Sequence, residues 1–376
     1  MRRHELIRRI SIAAFLLFCV LASHTAQAQA RTRNVVLIVS DGLRWQEIFT
    51  GADPTLLNEK DGGIWESAET LRGKYWSDDP TERRRKLFPF LWDVVARQGQ
   101  MYGNRNLGSI AQVTNPYAFS YPGYNEMITG KGDPRIDKND FGPNPNINVF
   151  EWLNRQPDLV GQVHVYGTWD TFRDIFNQKR SGLPVSAGWT ITPSTGTSDG
   201  DKLYAQLLAT ATRFDDEDLD NALLQPPLLE SIRSTHPRLL FVGYGATDNW
   251  AHAGRYDLVL ETAHQFDDFV RQLWETMQSM PEYKDQTTFL ITTDHGRGSG
   301  LGDWKEHGVE QKGSENIWIA VLGPDTAALG ERTHIQAITQ AQIAATIASL
   351  LGKDYRQFNP QAAAPIKDVL PHGSHR

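Results

Sequence analysis

The sequence predicts an α/β fold, a three-layer αβα sandwich with a mostly parallel central sheet. Two observations carry that expectation. Short, continuous runs of β-branched and apolar residues recur along the chain, and amphipathic helical patterns separate them. Strands covered on both faces read as unbroken apolar runs rather than as alternation, and such strands belong to parallel sheets.

The elements follow in order. Residues 34–39 form an apolar run that breaks at Ser40-Asp41-Gly42, as a central strand entering a loop would. Similar runs lie at 162–166, 238–243, 287–292 and 317–322. Helical spacing marks 86–97, 148–155, 201–213, 255–280 and 339–351. Two stretches depart from this rhythm. Residues 51–85 are polar and rich in Gly, Pro and Trp, and 131–148 carry Gly-Asp-Pro and Pro-Asn-Pro-Asn. They predict loop insertions near 51–85 and 131–236 within a catalytic domain over 31–358, with 359–376 as a flexible tail.

The first thirty residues stand apart. A basic stretch is followed by a short apolar run and by Thr25-Ala-Gln-Ala-Gln-Ala30, the layout of a secretory signal peptide over 1–30. The expectation is a periplasmic or secreted protein, without membrane attachment after cleavage. The only cysteine, Cys19, falls inside that segment. The mature chain therefore holds no disulfide and no thiolate metal site. Any metal must be held by Asp, Glu and His.

With 376 residues, 40% hydrophobic and 22% charged, the chain can bury a sizeable core. Its formal charge of −7 argues against binding nucleic-acid polymers, which relies on Lys and Arg. A small phosphate ester is the expected partner. Composition leaves oligomeric state open.

In open α/β sheets ligands bind beyond the carboxyl ends of the strands. The run 34–39 delivers Asp41 there. The run 238–243 leads to Asp248 and His252, and 287–292 leads to Asp294 and His295, with His307 further on. Asp248 and His252 share a face on one helical turn. Three carboxylates and three imidazoles gathered on one rim would repel and desolvate one another, and divalent cations remove that conflict. These ligand types suit zinc, and also manganese, and six of them suit two ions. Ser120, in Phe119-Ser120-Tyr121-Pro122, opens a helical segment, where an attacking oxygen would meet free N–H groups.

These motifs resemble the alkaline phosphatase superfamily, nearest its type I phosphodiesterase/nucleotide pyrophosphatase branch. Val39-Ser-Asp41-Gly, the Ser120-x-Pro segment ending Thr129-Gly130, Asp248-x₃-His252, Asp294-His295-Gly and His307 stand in the family's order. The resemblance implies that Asp248, His252 and His307 bind one metal, zinc in the family. Asp41, Asp294 and His295 would bind the other, with Ser120 as a further ligand and as the nucleophile that becomes phosphoserine. Phosphodiester or pyrophosphate hydrolysis is then expected ahead of monoester hydrolysis. The chain departs from the branch at Ser120 and Gly123, where Thr and Asn are usual. It departs from the sulfatases at Tyr124, where they need Arg to oxidise the nucleophile.

Substrate contacts are expected from Asn144 or Asn146, matching the family's phosphoryl-binding Asn, and from Arg173 or Arg180 as a clamp on a second charged group. Trp45, Trp250 and Trp304 lie close in sequence to the ligands and are candidate pocket walls. A phosphomutase-like or sulfatase-like relative, or a binding protein that keeps its metals without catalysis, are the alternatives.

Overall fold

The computed structural model describes residues 31–191, 199–213 and 215–371. The expected signal segment and the last five residues lie outside the described residues. Among the described residues ten strands occur in chain order: β1 (Asn34–Ser40), β2 (Gln100–Tyr102), β3 (Ala111–Gln112), β4 (Val163–Gly167), β5 (Val185–Ala187), β6 (Leu239–Tyr244), β7 (Thr287–Thr292), β8 (Ile319–Leu322), β9 (Gly330–Glu331) and β10 (Ile338–Thr339).

Eight of them form one sheet in the order β5-β4-β6-β1-β7-β8-β2-β9, and β3 pairs with β10 separately. From β5 to β7 all neighbours are parallel, whereas β8 runs antiparallel to both β7 and β2. Val39 pairs with Gly243 on one side and Thr292 on the other, so β6, β1 and β7 end flush. The three loops that carry the predicted ligands leave the sheet side by side.

Alternation along β1 builds the layers. Val35, Leu37 and Val39 join one apolar cluster, with Tyr121, Met127, Phe150 and Ile347. Val36 and Ile38 join another, with Leu228, Leu260, Phe266 and Leu273. Because successive side chains point to opposite faces, a strand buried throughout needs helices on both sides. The first face is covered by Ser120–Thr129, Val149–Asn154 and Gln342–Leu350, and the second by Asn221–Thr235 and Tyr256–Gln278. The expected three-layer, mostly parallel architecture is the observed one.

Several expectations need correction. Residues 51–85 are not an open loop but short helices, at Glu59–Gly62, Ala68–Tyr75 and Pro80–Leu87. Asn58, Ser67 and Asp79 cap them, each side chain accepting from a first-turn N–H, and Leu71 and Leu87 anchor them in the second cluster. The span 131–236 is not one insertion, since β4 and β5 within it extend the central sheet. The helix expected over 86–97 is interrupted. Pro89 cannot continue it, and a π-helical turn follows at Leu91–Val95, with Asp267 accepting from Phe90 N (2.7 Å) and Leu91 N (2.9 Å). Residues 359–370 are packed rather than a free tail. Ala363 N donates to Gly130 O (2.9 Å), Gln100 Nε2 donates to Asp368 O (2.7 Å), and Val369 is buried. Among the described residues no helix is long and apolar enough to cross a membrane.

Candidate metal centre

Asp41 follows β1 directly and its N–H continues the ladder to Tyr244 O at 2.8 Å. Asp248 and His252 sit on the short helix Ala246–His252 that follows β6. Asp294 and His295 follow β7, and His307 lies just beyond the turn Asp303–Lys305. All six meet at one rim. His295 Nε2 lies 3.2 Å from Asp41 Oδ1, 3.5 Å from Asp294 Oδ2 and 3.8 Å from Asp248 Oδ1. His307 Nε2 is 3.6 Å from Asp248 Oδ1 and 2.9 Å from His252 Nε2, which is itself 3.3 Å from Asp248 Oδ2. Among the described residues two triads have donor atoms gathered closely enough to hold an ion: Asp41, Asp294 and His295, and Asp248, His295 and His307. His252 adjoins the second.

The electrostatics call for cations. Burial, with Asp41 beside it, raises the Asp294 carboxyl well above its usual range. Burial opposes charge on His295, but Asp294, Asp41 and Asp248 outweigh it and hold the imidazole up at about 9. Burial and the neighbouring His295 push His307 down to about 2, leaving a neutral imidazole. Asp41 Oδ1, Asp294 Oδ2 and His307 Nδ1 are buried without a hydrogen-bond partner. Unsatisfied buried oxygens cost stability unless something binds them, and divalent ions suit this donor set of carboxylate oxygens and imidazole nitrogens.

Ser120 belongs to the same cluster, with Oγ 3.4 Å from His295 Nε2. The chain reaches it through a sharp turn. Ala118 adopts φ +49°, a region that disfavours a non-glycine residue, and Asn115 Oδ1 holds the turn by accepting from Tyr117 N (3.1 Å) and Ala118 N (2.9 Å). Glu126, wholly buried on the Ser120 helix, accepts from Thr114 N, Asn115 N and Ala341 N and so clamps the incoming loop. The helix start offers fewer free donors than the sequence implies. Tyr121 N is taken by Asn139 Oδ1 (3.0 Å), Gly123 N by Phe119 O (3.0 Å), and Pro122 has none.

Three residues of the centre were not expected there from sequence. Arg297 is buried and pairs with Asp248, placing a fixed positive charge behind that ligand. Tyr124 donates to Asp41 Oδ2 at 3.0 Å and orients it. Asn139 lines the cavity of about 330 Å³ that opens onto the ligands, together with Ser120, Trp169, Glu217 and Asp218.

The predicted substrate contacts lie elsewhere. Asn144 and Asn146 bond Asn125, and Asn146 also bonds Asp133. Arg180 is spent on Glu151 and the carbonyls of Asn144 and Asn146. Arg173 donates to the carbonyls of Val185 and Ala187. None of the four lines the cavity. They tie the 131–190 segment together, because polar side chains in irregular backbone satisfy one another before they reach a ligand. Trp304 is buried, its Nε1 donating to Asp61 O, and Trp45 packs beside the second apolar cluster. Trp250 walls a neighbouring cavity.

Gly123 explains one departure from the branch pattern. A Cβ there would lie 2.4 Å from Asp294 O, so the Ser120 helix can approach the ligand loop only with glycine. Gly123→Ala is expected to lower kcat about tenfold to a hundredfold by pushing the Ser120 helix away from the Asp294-His295 loop. Steady-state kinetics on a nitrophenyl phosphate ester, beside an unchanged far-UV spectrum, check this.

Residues 213–355 match the model of the Metalloenzyme superfamily. No curated protein matches the sequence. Among solved structures, the chain is similar to alkaline phosphatase PafA, at 10% identity and a TM-score of 0.58 over 91% of this chain and 100% of that one. It is similar to the phosphonate monoester hydrolase SpPMH from Silicibacter pomeroyi, at 12% identity and 0.55 over 90% and 76%. It also resembles Ps i-CgsB, solved with k-i-k-neocarrahexaose, at 15% identity and 0.51 over 91% and 78%. The chain thus shares the fold of these structures, and the matched segment 213–355, which carries Asp248, His252, Asp294, His295 and His307, is similar to metalloenzymes, so divalent metal ions are the implied cofactors.

Proposed function

We propose that the protein hydrolyses phosphoric esters, diesters ahead of monoesters, through a phosphoserine on Ser120. The carrying observation is that Ser120 Oγ stands in the cavity wall 3.4 Å from His295 Nε2, amid all six expected ligands. The cavity supports the preference for diesters. Glu217 and Asp218 line it, and no Lys or Arg does among the described residues. A monoester brings up to two negative charges to that wall and a diester one, so repulsion falls more heavily on the monoester.

Asp41, Asp294 and His295 would hold one ion, and Asp248, His252 and His307 the other, with zinc proposed ahead of manganese. When bound, the ions supply charge neutralisation for phosphoryl oxygens and a means of ionising a hydroxyl at neutral pH. Ser120 Oγ forms the bond to phosphorus as the bond to the leaving alcohol oxygen breaks, and that oxygen takes up a proton. Water then cleaves the phosphoserine and restores the hydroxyl. Tyr124 and Arg297 keep Asp41 and Asp248 in place throughout. Since Tyr124 is committed to Asp41, the position that would favour sulfatase-type oxidation of the nucleophile is filled by a positioning group. Export across a membrane, directed by residues 1–30, completes the reading.

Turnover of bis-p-nitrophenyl phosphate is expected to exceed that of p-nitrophenyl phosphate at least about tenfold in kcat/KM, to vanish with EDTA and to return with zinc. The reverse order of substrates would remove the diester assignment. A metal-loaded protein inert toward both would remove the hydrolase.

A further inference from the structure

One wall of the cavity has a chemistry that the hydrolase reading uses only for its negative charge. Beyond β4 the chain continues through Thr168 and Trp169, and residues 217–219 run antiparallel beside it. Asp170 N donates to Glu217 O (3.1 Å) and Leu219 N to Thr168 O (2.9 Å), with a bridge between Trp169 and Asp218. This fixes Trp169 alongside Glu217 and Asp218. Trp169 Nε1 donates to Glu217 Oε2 at 3.3 Å, and its ring meets the buried Phe172 edge-on, centroids 6.1 Å apart. Asp218 lies over Gly245, where a Cβ would stand 3.1 Å from Asp218 Oδ1, and that oxygen is buried without a partner. Desolvation, with Asp215 nearby, pushes the Asp218 carboxyl up to about 8. The nearby Arg213 belongs to the adjoining cavity, lying over the Trp189 ring at 4.7 Å and pairing with Asp216 at 3.3 Å.

We infer that this wall selects phosphodiesters in which one alcohol carries a positive charge, an amino alcohol of the choline or ethanolamine kind, with Trp169 and Glu217 as specificity-determining residues. A quaternary or primary ammonium is attracted to the face of an indole and to a carboxylate at its edge. An uncharged alcohol gains neither attraction, and an anionic one meets Glu217 unscreened. A volume of about 330 Å³ also suits a small headgroup. Charge on the substrate thus complements charge at both ends of the site, a phosphoryl group toward the metal ligands and a cation toward Trp169.

The inference rests on the hydrolase reading, and the test separates the two. The metal-loaded full chain is assayed with p-nitrophenyl phosphorylcholine and with its uncharged isostere, p-nitrophenyl 3,3-dimethylbutyl phosphate. Loss of ester is followed by chromatography, so cleavage of either P–O bond counts. At low ionic strength the choline ester is expected to have at least about tenfold the kcat/KM of the isostere. That ratio should fall toward one in Glu217→Gln, an exposed position, and in Trp169→Leu. A ratio near one in the unaltered protein overturns the inference, as does a ratio that both substitutions leave intact. If neither ester is cleaved, the hydrolase reading fails on its own. Calorimetry with phosphocholine and 3,3-dimethylbutyl phosphate then decides the cavity: binding about tenfold tighter for phosphocholine sustains the inference, and equal binding overturns it.

Discussion

Replacing Ser120 by alanine is expected to lower kcat on bis-p-nitrophenyl phosphate at least about a thousandfold while metal content and melting temperature stay close to those of the parent. The side chain is small and nearly buried, and its hydrogen bond is the long one to His295. Its removal leaves a void no larger than one oxygen. Phe119 rather than Ser120 occupies the cap position of the helix, and it makes no side-chain capping bond, so no capping is lost. What disappears is the proposed nucleophile. A thousandfold corresponds to about 4 kcal/mol of transition-state stabilisation. Acid quenching of the parent enzyme in turnover should trap phosphate on Ser120, seen by mass spectrometry of the peptide. An alanine variant that keeps more than a tenth of the activity would show that water attacks directly.

Stripping the metals is expected to destabilise the fold as well as stop the reaction. Asp294 and His295 are fully buried and Asp41 nearly so, in a cluster already carrying Asp248. Without cations, burial and the neighbouring Asp41 disfavour charge on Asp294, whose Oδ2 has no hydrogen-bond partner. An ion at a thousand times its Kd contributes about 4 kcal/mol to stability. For a chain of this size that corresponds to a fall in Tm on the order of 10 °C on chelation. Calorimetric scans with EDTA, and again after zinc is returned, measure it. Superimposable scans would mean that the carboxylates need no counter-ion in the folded state.

The clustering of the candidate ligands was legible because all but His307 end a strand or occupy a helical spacing that sequence displays. Asp41, Asp294 and His295 terminate unbroken apolar runs, and Asp248 and His252 fall on one turn of helix. Arg297 and Tyr124 were not, since their partners Asp248 and Asp41 are remote in sequence and only the fold brings them near. A basic residue two positions after a ligand histidine, next to an unbroken strand, was the available clue to Arg297. Asn144, Asn146, Arg173 and Arg180 misled because an irregular polar loop looks alike whether its side chains face a ligand or one another. The three-residue strands β2 and β5 are too short to show any period. The helices within 51–85 could have been read from their caps, Asn58, Ser67 and Asp79-Pro80.

The adjacency of β6, β1 and β7 also governs when the protein can acquire its ions. Asp41 and Asp294 are remote from each other in sequence, and the pairing of β1 with β7 sets them side by side. Such long-range pairing forms late and slowly during folding, and the unfolded chain offers no preformed chelate. Loading must therefore follow closure of the sheet's centre. Any ions carried at maturity would then be taken up where that closure takes place, rather than earlier along the polypeptide's route.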